Sequence, residues 1–284
     1  MKNIAYYNGT FSSIEDMKIP MTDRAVYFGD GVYDVALIAN GKPFALEDHL
    51  DRFYNSCRMI EIPFHLDRAA LRQIFADMVS KIDDASFAML YWQASRGTAM
   101  RNHLYPEHAT PNLLAYITPK PIPDVTKPIR LITVPDRRYD LCQIKTINLL
   151  ANLMETERAK KAGCDEAVLV RNGLVMECSH SNLSILKDGV FRTAPLTEQV
   201  LPGIARKHLI ALCGQLGIPV KEEAFTVEEM MQADEILQSS TTTFCRRACE
   251  IDGQAVGGRA PELLAKLQHA FSDKLLAENN VSLF

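Results

Sequence analysis

Lys145 stands in "LCQIKTINLLANL" (residues 141–153), where every neighbour is apolar or uncharged polar. A charged ammonium is costly to bury without a partner. Two readings follow: the side chain snorkels its head to water, or the site uses an amine whose charge is suppressed. A desolvated lysine has a lowered pKa and, once neutral, is a nucleophile. Glu177, in "LVMECSHSN" after the Asn172-Gly173 turn, is a second candidate. On a strand, Val175, Glu177 and Ser179 share one face, while Met176 and Cys178 take the other. Glu177 is either solvated or, if buried, a carboxylate that requires a cationic partner.

Three further stretches carry groups for binding an anion. "LPGIAR" (201–206) places Gly203 at a helix start, whose free N–H groups and dipole favour a phosphate. An ordinary helix start is the commoner explanation of such a stretch. "SSTTTF" (239–244) offers five hydroxyls in a row, a polar strand end or a second donor set. "SRGTAMRNH" (95–103) sets Arg101 and His103 beyond a Gly-Thr turn, a pair suited to a carboxylate ligand. Arg52 lies off the Leu46/Leu50/Phe53 stripe, the usual place of a surface arginine. A nucleophilic lysine, a partner carboxylate, an arginine and a hydroxyl-plus-helix cup are together what a pyridoxal phosphate site needs.

The elements that position these residues are punctuated by Asn8-Gly9, Asn40-Gly41, Asn172-Gly173, Asp188-Gly189 and Asp252-Gly253. Such dipeptides supply the positive φ of tight hairpins. They predict an α+β protein with largely antiparallel sheets, built from hairpins and not from βαβ crossovers. Helical spacing predicts helices over 46–60, 67–82, 147–163, 203–217 and 261–278. Four prolines in "TPKPIPDVTKPI" (118–129) forbid helix and central strand. The expected organisation is a smaller N-terminal α+β domain (1–118), a Pro-rich linker (119–129) and a larger C-terminal α+β domain (130–284) carrying Lys145.

Composition narrows the function classes. The chain has 284 residues, 47% of them hydrophobic, enough for a full globular core. Its formal net charge is −4 and it has no long basic run, so nucleic acid and membrane are not expected partners. No apolar run approaches a membrane span, and an Asn-Gly turn precedes any signal-like core. Neither GxGxxG nor GxxxxGK[ST] occurs, so the standard nucleotide fingerprints are absent. The seven cysteines are scattered without zinc-ligand spacing, which predicts no metal site and a reduced, cytoplasmic protein.

The sequence resembles the fold-type IV pyridoxal-phosphate enzymes, the class IV aminotransferase family, and within it the D-amino-acid aminotransferases. The resemblance runs through "DRAVYFGDGVYDV" (23–35), "EDHLDRFYNS" (47–56), "RGTAMRNHLYPE" (96–107), "IKTINLLAN" (144–152), "AGCDEAVLVRNG" (162–173), "ECSHSN" (177–182), "LPGIAR" and "SSTTT" (239–243), in matching order and spacing. It implies a two-domain transaminase moving an amino group from a D-amino acid such as D-alanine to a 2-oxo acid. By resemblance, Lys145 is the Schiff-base lysine that also carries the substrate proton, a role requiring a pKa not far above working pH. Glu177 falls on the carboxylate that pairs with the pyridine nitrogen. Arg52, Ile204, Ala205 and Thr241 fall on the phosphate cup; Leu201, Gly203 and Ser240 complete the cofactor-binding set, and Ser181 and Asn182 match supporting positions. Tyr33, Arg101 and His103 fall on the trap for the substrate carboxylate. In the family the last two come from a neighbouring subunit, which implies a homodimer.

Two departures bear on substrate range. Arg246-Arg247 stand where less charged residues are expected, either solvated or able to bind a second carboxylate, and His180 replaces a smaller polar residue. The alternatives are a lyase resembling aminodeoxychorismate lyase, which releases pyruvate and consumes no 2-oxo acid, and a branched-chain L-amino-acid transaminase, disfavoured by the Arg101/His103 pair. A non-catalytic binding protein of the same fold is disfavoured because Lys145 and Glu177 are both present.

Overall fold

In a computed structural model, which describes residues 1–284, the chain divides into two units: Met1–Ile122 with Ile144–Asn148, and Pro123–Gln143 with Leu149–Phe284. All five predicted hairpin dipeptides adopt positive φ at both residues.

The first unit holds strands β1 (Ile4–Tyr7), β2 (Thr10–Ser12), β3 (Gly31–Ala39), β4 (Lys42–Pro43), β5 (Phe87–Ser95) and β6 (Asn112–Pro119). Its helices are α1 (Arg24–Phe28), α2 (Leu46–Met59) and α3 (Arg68–Lys81). The strands form one antiparallel sheet in the order β2-β1-β6-β5-β3-β4. Period-two alternation sorts its faces. Ala88, Leu90, Trp92 and Ala94 of β5 enter the core with Leu50, Phe53 and Cys57 of α2 and Leu71, Phe75 and Met78 of α3. Met89, Tyr91 and Gln93 take the opposite face. Asp67 caps α3, its carboxylate accepting from Ala70 N at 2.7 Å.

Ile144–Asn148 extends this sheet. β4 covers only the end of β3, at Ile38 and Ala39, and leaves its first residues with an open edge. There Lys145 O accepts from Tyr33 N at 2.9 Å, and Ile147 N donates to Gly31 O at 3.1 Å. Lys145 therefore packs with the first unit and not with 130–284, because a backbone ladder outweighs its place in the sequence. The same ladder corrects the predicted helix over 147–163, which begins only at Leu150.

The second unit holds β7 (Ile129–Pro135), α4 (Leu150–Lys161), β8 (Glu166–Arg171), β9 (Leu174–Cys178), β10 (Asn182–Lys187), β11 (Val190–Thr193), α5 (Ile204–Gln215), β12 (Val220–Glu222), α6 (Val227–Met231), β13 (Glu235–Ser239), β14 (Arg246–Ile251), β15 (Gln254–Ala255) and α7 (Pro261–Asn279). The main sheet runs β12-β11-β10-β13-β14-β7-β8-β9. Most pairs are antiparallel, but β7 runs parallel to β8 and β14, and β11 to β12. The expectation of no βαβ crossover is thus corrected: parallel neighbours need a long connection, and α4 lies within the one joining β7 to β8. Turn dipeptides mark local connections and carry no sign of a distant one. Ile129, Leu131, Val168, Ile185, Phe225 and Ile236 centre the core.

A second correction concerns β9. Leu169 pairs with Glu177 and Val170 with Val175, so Met176 is an extra residue in a bulge. The predicted faces break there: Val175 and Cys178 join one core cluster, and Met176 packs with Ala194 and Val200 in another.

Candidate active-site residues in the two units

In the first unit, Lys145 sits on the added edge segment directly opposite Tyr33. Its ammonium lies over the Tyr33 ring, 4.4 Å from the centroid, within reach of a favourable cation–π contact. Tyr33 stacks on Tyr91 at 5.4 Å, and Tyr91 on Tyr116 at 4.8 Å. Burial pushes the Tyr91 and Tyr116 hydroxyls upward, so both stay protonated. The Lys145 amide donates to Ser56 Oγ of α2 at 3.3 Å. The glycines of "FGDG" make room for the segment. A Cβ on Gly31 would lie 2.7 Å from Ala94 O and 3.0 Å from Ile147 Cδ1. Gly29, at φ 61°, leaves space for Asn148, whose Nδ2 donates to Gly29 O at 2.7 Å.

Arg52 is buried, contrary to the surface position that its spacing indicated. Its Nε and Nη2 donate to Asp34 Oδ2 and Oδ1 at 2.8 and 2.7 Å, a two-pronged ion pair. His49 Nδ1 lies 2.8 Å from Asp34 Oδ1; a carboxylate only accepts, so this nitrogen carries the proton. Burial works against the Asp34 charge, but Arg52 and His49 together hold its carboxyl well below the usual range. Burial also lowers His49, more than Asp34 raises it. Neither Asp34 nor His49 was singled out from sequence, although a lone acid on the Val32/Ala36/Ile38 face of β3 was visible there.

Arg101 and His103 lie on the exposed loop after β5. The Arg101 guanidinium sits 5.1 Å from the Phe28 ring centroid, and the His103 ring 5.5 Å from the same ring. Buried Arg24 supports this loop by donating to Asn102 O at 2.9 Å and pairing with Asp30 at 2.7 Å.

In the second unit, Glu177 is buried and is met by the cation that such burial requires, Arg138. Its Oε2 accepts from Asn182 Nδ2 at 2.8 Å and from Leu201 N at 3.1 Å. Arg138 also grips Asp136, with Nε and Nη2 at 3.0 and 2.9 Å, and Nη2 reaches Gln199 O at 3.0 Å. Burial opposes the Arg138 charge, yet Asp136 and Glu177 push its pKa above the ordinary arginine value. Asp136 is lowered in turn: burial is outweighed by Arg138 and Arg171. Sequence reasoning missed Arg138 because "PDRRYD" looks like a solvated charge run.

Asn182 also donates to Leu201 O at 3.0 Å, which draws Leu201, Asn182 and Glu177 together. Ile204 and Ala205 open α5, where the first N–H groups have no helical acceptor. Ser181 donates to buried Glu166 at 2.8 Å. Ser240 and Thr241 follow β13 in a turn. Arg246 donates twice to Lys127 O, at 3.1 and 3.0 Å, and Arg247 Nη1 lies 3.8 Å from Glu235. Each of the two arginines thus has a partner within the protein. His180 is 54% exposed, with Nδ1 3.3 Å from Glu166. No group of three His, Cys, Asp or Glu side chains is placed to hold a metal ion, and no helix is long and apolar enough to cross a membrane.

The donor chemistry fits pyridoxal phosphate: a reachable primary amine, a carboxylate paired with an arginine, a second oriented arginine and an uncommitted helix start. The chain belongs to the amino-transferase class IV family, whose model matches residues 31–251, and it is a pyridoxal-phosphate-dependent aminotransferase. It is 37% identical over 275 residues to the D-alanine aminotransferase of Bacillus licheniformis, a match covering 96% of this chain and 97% of that one. The fold matches the branched-chain aminotransferase of Thermoproteus uzoniensis with norvaline, at TM-score 0.88 and 23% identity over 99% of each chain. It also matches a T.th. branched-chain amino acid aminotransferase complexed with N-(5'-phosphopyridoxyl)-L-glutamate, at TM-score 0.86 and 23% identity over 95% of this chain and 93% of that one.

Proposed function

We propose that this protein moves the amino group of a D-amino acid such as D-alanine to a 2-oxo acid, with Lys145 as both covalent tether of the cofactor and carrier of the substrate proton. Bound pyridoxal phosphate supplies an electron sink for the carbanion left when the substrate Cα proton departs. The observation that carries the reading is the setting of Glu177. Arg138, Asn182 and Leu201 N all donate to its carboxylate, an acceptor suited to a protonated ring nitrogen. Arg52 and the N–H groups of Ile204 and Ala205 are assigned to the phosphate, with Thr241. Fixing that end positions the reacting atoms. Lys145 takes the proton from substrate and returns it, one group acting as base and then as acid.

Tyr33 contributes to the substrate carboxylate trap. Arg101 and His103 complete it in a second copy of the chain, so the working form is a homodimer. The seven cysteines are all free thiols, in keeping with a reducing cytoplasm. The test is stereochemical. Protein with cofactor is given D-alanine or L-leucine, each with 2-oxoglutarate. D-alanine is expected to yield a new amino acid and L-leucine is not. Product from L-leucine alone, or pyruvate released from aminodeoxychorismate without an acceptor, overturns the reading.

A further inference from the structure

We infer that Glu166 is a positioning residue: its buried carboxylate orders a chain of hydrogen bonds that turns the hydroxyl protons of Ser181 and Ser240 inward and leaves Thr241 as the hydroxyl donor to the cofactor phosphate. The inference rests on the proposed function through its assignment of Thr241 to the phosphate.

Glu166, at the start of β8, is 1% exposed. Its Oε1 accepts from His180 N at 2.7 Å and Ser179 Oγ at 3.4 Å, with His180 Nδ1 at 3.3 Å. Its Oε2 accepts from Ser181 Oγ at 2.8 Å and Gln238 Nε2 at 2.5 Å. A carboxylate only accepts, so each donor must spend its hydrogen on it.

The consequences run outward one link at a time. Gln238 turns its NH2 toward Glu166, so its Oε1 faces Thr243, whose hydroxyl donates to it at 3.1 Å. A hydroxyl has one hydrogen. Ser240 Oγ lies 2.7 Å from Thr243 Oγ1 and must therefore be the donor of that pair. Ser240 Oγ also accepts from Thr243 N at 3.2 Å. Its hydroxyl is spent within the turn, so the place that the resemblance gives Ser240 in the cofactor-binding set is not taken by its side-chain donor, and the Ser181 proton is likewise spent on Glu166. Thr241, half-buried beside Ser240, has a hydroxyl engaged by no protein group.

Glu166→Gln reverses the chain in a defined direction. The backbone N–H of His180 cannot turn round, so the oxygen of the substituted amide keeps the Oε1 position and its NH2 takes the other. Gln238 then flips its amide, Thr243 accepts from it and donates to Ser240, and the Ser240 proton is released.

The measurement is the ratio of affinities of the full chain for pyridoxal phosphate and for pyridoxal, which lacks the phosphate, by spectral titration. Thr241→Val is expected to lower this ratio about tenfold, as for a hydrogen bond to a charged group, and Ser240→Ala to leave it within about twofold. In the Glu166→Gln background, Ser240→Ala is expected to lower the ratio by about threefold or more. Gln238→Leu cuts the chain while leaving Glu166 intact; it is expected to unmask Ser240 in the same way and serves if Glu166→Gln does not fold. A purely structural role would shift both affinities together and leave the ratio alone. A Ser240→Ala effect equal in the native and both altered backgrounds overturns the inference. No effect of Thr241→Val overturns the phosphate assignment itself, and the inference with it.

Discussion

Asn182 fills the space that any side chain on Gly203 would need: a Cβ at 203 would lie 1.8 Å from Asn182 Oδ1. Gly203 has φ −67°, so alanine there meets no backbone strain. The conflict is one of contact alone, and it falls on the amide that donates to Glu177. Gly203→Ala is expected to destabilise the protein by about 1–3 kcal/mol, as overpacking does, measured by urea unfolding. Asn182→Ala removes the obstruction. The double variant should therefore be no less stable than Asn182→Ala alone, a coupling diagnostic of contact.

Arg138 holds two acids at once, Asp136 and Glu177, and all three side chains are largely withdrawn from water. Removing one partner of a buried pair leaves an uncompensated charge and costs about 3–5 kcal/mol. Arg138→Ala is expected to fall in that range by urea unfolding. Adding Glu177→Gln, which withdraws one stranded charge, should recover part of the loss. Two independent, additive losses would mean that the ion pair contributes nothing to the fold.

The residues named from sequence were those whose type is out of place locally: a lysine in an apolar run, a glycine at a helix start, a row of hydroxyls. Their partners were harder to see. Arg138 and Arg24 each resemble an ordinary surface charge until tertiary contact buries them. Asp34 and Arg52 lie on a strand and a helix separated in the chain, and only the packing of α2 on β3 joins them. Ile144–Asn148 read as the approach to a helix because periodicity is a local signal, while its ladder with Gly31 and Tyr33 is formed with residues more than a hundred positions away. The parallel pair β7 and β8 and the bulge at Met176 were hidden for the same reason. The five hairpins marked by an Asn-Gly or Asp-Gly turn, whose signal and partner are adjacent, were legible, whereas the antiparallel pair β13 and β14, joined without such a dipeptide, was not.

The Asp34–His49–Arg52 cluster makes stability depend on pH in a defined sense. Asp34 has a lowered folded pKa, so its contribution is present above the unfolded carboxylate value, about 3.9, and is lost as pH falls through the folded pKa. His49 is also lowered, chiefly by burial. Below about pH 6.5 the unfolded histidine takes up a proton that the folded one refuses, so unfolding gains favour. Both effects have one sign: stability falls with acidification, His49 acting first. The His49 contribution approaches about 1.4 kcal/mol per pH unit once the unfolded histidine is charged. His49→Gln is expected to flatten the urea midpoint between pH 6.5 and 5 and to leave the acid limb from Asp34. A midpoint that depends on pH identically in both proteins would exclude His49.

Lys145 can be removed without removing the segment that carries it. The ladder to Tyr33 uses the Lys145 backbone oxygen, and the side chain is only partly buried. Lys145→Ala is therefore expected to keep its fold and unfold within about 0.5–1 kcal/mol of the native protein, the loss being mainly the contact with Tyr33. Transamination should fall by at least about 10²–10⁴-fold, the range of a positioned proton carrier, and further because the covalent tether proposed for Lys145 goes with it. Borohydride reduction of the native holoenzyme followed by digestion should leave the pyridoxyl label on the peptide containing residue 145, and the variant should take up none. A label on any other peptide, or an alanine variant that retains the visible absorption of bound cofactor, would assign the tether to a different lysine and dissolve the case for Tyr33 as its neighbour.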